Sequence, residues 1–173
     1  ATSLQKPPEV ARAVVHAMQS CASPGRGDHA AAMRAAETVF ACREEAAALF
    51  HMTQPENVVF TMNATHALNL AIKTLVGPGD EVAISGFEHN AVWRPLVQIG
   101  ANVKLAGRKL FDPDDTLEEF RAAIGPETKA VVCTHVSNVF GYVLPIEKIA
   151  ALCFERGVPL VVDCSQSAGI LPV

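Results

Sequence analysis

The stretch Val158-Pro-Leu-Val-Val-Asp163-Cys-Ser-Gln166-Ser-Ala-Gly169 decides the fold. A short apolar, β-rich run ends in an acid, and Gln166 follows three residues after it. An apolar run of that length, closed by a polar loop, reads as a buried strand of an α/β sheet. The carboxyl ends of such strands are where ligand-handling groups gather. A carboxylate there is costly unless a cation, a metal or several donors meet it. Asp163 therefore needs a partner.

Working outward, the rest of the chain alternates helix and strand patterns. Helices are expected over 9–20, 29–52, 65–76, 91–99, 116–125 and 145–156. Strands are expected over 57–61, 81–85, 102–106, 129–134 and 159–163. Gly77-Pro-Gly-Asp80 is a tight turn into the second of these strands. Thr116-Leu-Glu-Glu119 has the spacing of a capping box and opens the fifth helix. Such alternation with short connections predicts an α/β fold, three-layer αβα, with a mainly parallel sheet covered on both faces. Residues 1–20 read as an N-terminal segment, and 21–173 as part of one large domain.

Composition removes several function classes. Half of the 173 residues are apolar, enough for one sizeable core, and the net charge is −4. Lys and Arg are scattered, so there is no basic footprint for nucleic acid or a membrane surface. No run reaches the roughly 18 apolar residues of a membrane span. Five cysteines, never spaced C-x-x-C, argue for reduced thiols in a cytoplasmic protein and against a zinc site. The formal G-x-G-x-x-A match at Gly25 lacks the preceding strand that a dinucleotide fingerprint requires.

Four expected strand ends carry chemistry. In Phe60-Thr-Met-Asn-Ala-Thr65, a small-residue turn opens a helix, which suits a phosphate, although Thr65 or Asn63 can equally serve as a plain cap. His89 follows the strand over 81–85; its imidazole can stack on a flat ring or move protons, or simply cap a helix. Asn138 follows the strand over 129–134 and offers a donor and an acceptor, or is a turn residue backed by Gly141. Asp163 and Gln166 close the last strand.

Taken together, "TMNATHALN", "EHNAVWRPL", "THVSNVFGYVLPI" and "VVDCSQSAG" resemble, in order and spacing, the class V aminotransferase and cysteine desulfurase family. That family uses pyridoxal 5'-phosphate (PLP) on a fold-type-I large domain. The resemblance implies that Ala64 (backbone) and Thr65 hold the cofactor phosphate. His89 is the catalytic histidine that stacks on the ring and assists proton transfer. Asp163 pairs with the pyridine nitrogen, favouring the protonated ring, and Gln166 bonds its phenolic oxygen. Asn138 faces the substrate or that same oxygen, and Arg26 matches a substrate-side position that reaches a neighbouring subunit's site.

The activity implied is a desulfurase-like one, converting L-cysteine to L-alanine and an enzyme persulfide. Selenocysteine lysis, transamination or a non-catalytic interaction module are the alternatives. A sulfur-acceptor protein and a homodimer are the implied partners. In the family, the Schiff-base lysine and the persulfide cysteine lie past the point corresponding to Val173. The resemblance therefore implies a fragment holding the cofactor cradle without its covalent anchor.

Overall fold

A computed structural model describes residues 5–172. The chain divides into two compact units, one up to Phe60 and the other from Thr61 to Pro172.

The first unit is helical. α1 (Pro8–Ser20) opens on a proline at its first position, where a missing N–H costs nothing. α2 (Ala30–Leu49) buries Ala32, Ala35 and Ala47, and His29 caps it through Nδ1. The Arg34 guanidinium donates two hydrogen bonds to the Ser20 carbonyl, at 3.1 and 2.9 Å, and so ties α2 to the end of α1. The strand expected over 57–61 does not form. Pro55–Asn57 is a single 3-10 turn, and residues 58–61 join no ladder. Val58-Val-Phe60 has strand propensity, but no neighbouring strand accepts it, and propensity alone does not make a sheet. Thr65 is consequently not delivered by a strand end.

The second unit is the sheet. β1 (Glu81–Ser85), β2 (Asn102–Ala106), β3 (Thr128–Thr134) and β4 (Leu160–Asp163) run parallel in the order β2-β1-β3-β4. Side chains alternate across it as the pleat requires. Val82, Ile84, Ala130 and Val132 pack under α3 (Ala64–Leu75) and α4 (Asn90–Ile99), against Leu68, Ile72, Val92 and Leu96. Ala83, Ala106, Val131 and Cys133 face the other way. There they meet Phe120 and Ile124, in and just past α5 (Pro113–Ala123), and Ile149 and Leu152 of α6 (Ile146–Glu155). The result is the expected three-layer αβα arrangement.

One helix start differs from the reading of its sequence. α5 begins at Pro113, not at Thr116, because Asp112 accepts the Asp115 N–H at 3.0 Å and Pro113 fits the first turn. Thr116 is instead fully buried, with its hydroxyl on the Asp112 carbonyl and the Tyr142 hydroxyl.

Candidate functional site

All four strands end on the same edge, and the chain order reverses between β1 and β3. β1 leads to β2 on one side, whereas β3 and β4 lie on the other. At such a reversal the following helices leave on opposite faces, α4 on one and α6 on the other, which is where open α/β sheets place ligands. Three of the expected site segments hang over this edge: 85–89 after β1, 134–141 after β3 and 163–166 after β4.

The fourth arrives by a different route. A four-residue turn at Gly77–Asp80, closed by the Gly77 N–H on Asp80 Oδ2 at 2.8 Å, joins the end of α3 to the start of β1. α3 thus runs back along the sheet. Its 12 residues span about 18 Å, which carries its first turn to the level of the strand ends. Asn63, not Thr65, caps it: Asn63 Oδ1 accepts the His66 N–H at 2.9 Å, and its carbonyl accepts that of Ala67. The N–H groups of Ala64 and Thr65 precede any intrahelical acceptor, and Thr65 is exposed.

Asp163 is buried, at 9% exposure. Its Oδ1 accepts from the Ser165 N–H at 2.9 Å and the Ser165 hydroxyl at 2.5 Å. These neutral donors form a local turn and leave the carboxylate without an ion pair among the described residues. His89 caps α4 by accepting the Ala91 N–H on Nδ1 at 3.1 Å. That bond places the proton of a neutral ring on Nε2, and the side chain is exposed. Gln166 is half-buried beside the same strand end. Asn138 is exposed on a turn that Gly141 closes with φ +66 and an N–H bond to the Ser137 carbonyl of 2.9 Å. Arg26, exposed between Gly25 and Gly27, belongs to the first unit.

Glu88 is the residue that sequence reading passed over. Its Oε1 accepts the Thr134 N–H at 2.7 Å and the Ser85 hydroxyl, so a side chain joins β3 to β1 past their last paired residues. Its Oε2 is buried without a partner. Burial pushes this carboxyl up to about 7; the two donors oppose that shift and the charge of Asp163 adds to it. The signal was present as an acid three residues past an apolar strand, beside the more conspicuous histidine.

The profile described as aminotransferase class-V matches residues 1–173. The chain belongs to that family. Among class-V relatives, a probable cysteine desulfurase of Synechocystis sp. is 31% identical over 185 residues, covering 100% of this chain and 43% of that protein. The apo structure of a cysteine desulfurase from Thermococcus onnurineus NA1 superposes with a TM-score of 0.79 at 26% identity, over 94% of this chain and 43% of that one. A C-DES mutant with glycine covalently linked to its PLP cofactor shares the fold, with a TM-score of 0.81 at 24% identity over 96% of this chain and 46% of the other. The chain thus spans less than half the length of these three proteins.

Proposed function

We propose that this chain forms the cofactor cradle of a PLP-dependent cysteine desulfurase acting on L-cysteine. The observation that carries this is the buried, cation-free carboxylate of Asp163 at the carboxyl edge, beside the reversal in strand order. A ring cation fits that vacancy in the charge balance, since it supplies the opposite charge a buried acid requires. When bound, PLP supplies an electron sink for a carbanion on the substrate.

The residues of this chain then divide the work of holding it. The N–H groups of Ala64 and Thr65, with the Thr65 hydroxyl, hold the phosphate at the positive end of α3. Asp163 holds the ring nitrogen protonated. His89 covers the ring; its Nδ1 stays committed to the cap of α4, which leaves Nε2 to move a proton. Gln166 orients the phenolic oxygen, Asn138 serves the substrate side, and Arg26 serves the substrate side of a neighbouring subunit's site. The lysines all precede Asp163, and this assignment concerns non-covalent holding alone. The same reading includes a reducing compartment, supported by five free thiols. It also includes a homodimer, supported by the exposed Val10, Val14 and Met18 of α1.

The test is PLP binding to the whole chain, read from the absorbance of the ring, in wild type and Asp163→Asn. Asparagine keeps the Ser165 contacts and removes the charge. The expected loss is about 10- to 150-fold in affinity, that of a hydrogen bond to a charged group. Equal affinity for the two proteins refutes the assignment.

A further inference from the structure

Glu88 has none of the roles assigned above, yet it occupies the point where the strand order reverses. The residue as a whole is partly reached by solvent, but Oε2 is not. Both of its donors, Ser85 of β1 and Thr134 of β3, converge on Oε1. The charged group that acts on it is Asp163 of β4. Cys133 of β3 feels the charge of Glu88, but burial holds that thiol protonated, well above its usual range. Among the described residues no Lys, Arg or His forms an ion pair with Glu88. Two neighbouring acids therefore share a buried edge without a cation. Burial chiefly keeps the proton on Glu88, and the charge of Asp163 adds to that effect.

Building on the reading that a cationic ring pairs with Asp163, we infer that Glu88 is a charge-coupled positioning residue. Its Oε1 ties β3 to β1, and its proton passes to solvent when the cation settles beside Asp163. The added positive charge offsets the field of Asp163 and favours the ionised form, for which two donors already stand in place on Oε1. Glutamine at this position keeps the acceptor and the shape and has no proton to lose. Ser85→Ala removes one donor to the ionised form while leaving the carboxyl able to titrate.

The whole chain is to be titrated calorimetrically with pyridoxal 5'-phosphate in two buffers of different ionisation heat, from about pH 5.5 to about pH 8.5, so that proton release is read directly. Wild type, Glu88→Gln and Ser85→Ala are compared, and ionisation of the cofactor phosphate cancels between them. Wild type is expected to release more protons than Glu88→Gln. The ratio of their affinities should rise with pH by up to about tenfold per unit just below the Glu88 titration. In Ser85→Ala that window moves upward, which a purely mechanical tie between strands does not produce. Equal proton release from wild type and Glu88→Gln, with both binding, overturns this inference and leaves the proposed function standing. No binding to wild type at any pH defeats both. A second measurement needs no cofactor: the carbon-13 carboxyl resonance of Glu88 is expected to titrate near 7, and titration in the ordinary glutamate range also overturns the inference.

Discussion

Glu88 ties the folding free energy to pH with a definite sign. In the native state it titrates at about 7, against an ordinary 4.5, chiefly because it is buried. Between those values the folded chain retains a proton that the unfolded chain has given up, so stability falls as pH rises through the window. Glu88→Gln removes that slope. At pH 8 the variant is expected to exceed wild type by up to roughly 3 kcal/mol, and at pH 4 to match it, as urea melts at the two pH values would reveal. Equal stability of the two proteins at pH 8 would place the carboxyl in water. Asp163 was legible in the sequence because a carboxylate ending an apolar strand stands out. Glu88 was not: its burial comes from Ser85 and Thr134 closing over it from two strands, and strand pairing is tertiary information. His89 was legible as a helix cap or a site residue, and the structure shows that it caps α4 through Nδ1.

The helices and strands followed their local signals wherever packing agreed with them. The strands over 81–85 and 102–106 have the bounds expected from sequence, since each is a short run flanked by turn residues. The run Val58-Val-Phe60 carries the same propensity and stays outside the sheet for want of a partner. At the start of α5 two signals competed, and the aspartate followed by proline prevailed over the threonine spacing. Asp112→Ala is accordingly expected to cost about 1 kcal/mol of stability through the lost cap. Thr116→Val, which keeps the shape and removes the hydroxyl a capping box would use, tests the alternative. It should leave the helix start unchanged, with chemical shifts of the first turn as the readout.

Across the whole molecule, the layering around the sheet sets which groups solvent can reach. Cys133 and Cys153 are buried, on β3 and α6, and burial raises the Cys153 thiol to about 11. Cys42 is exposed on α2. Under native conditions iodoacetamide should modify Cys42 first, and Cys133 and Cys153 only after denaturant opens the fold. Mass spectrometry of the peptides checks the order, and early labelling of Cys133 would contradict the packing of β3 between two helical layers. Both layers were foreseeable from the alternation of elements, but the strand order was not, because nothing local dictates on which side of β1 the chain places β3.

That reversal has a consequence for how such a scaffold diversifies. The loops after β1 and β3 diverge toward opposite faces, and each is anchored below, the first through Phe87 and Glu88 and the second through Ser137 and Tyr142. A substitution at the exposed positions 138 and 139 changes the surface at that edge, while the acid at the end of β4 stays fixed. Variation at the rim is in this way kept apart from the anchored positions beneath it.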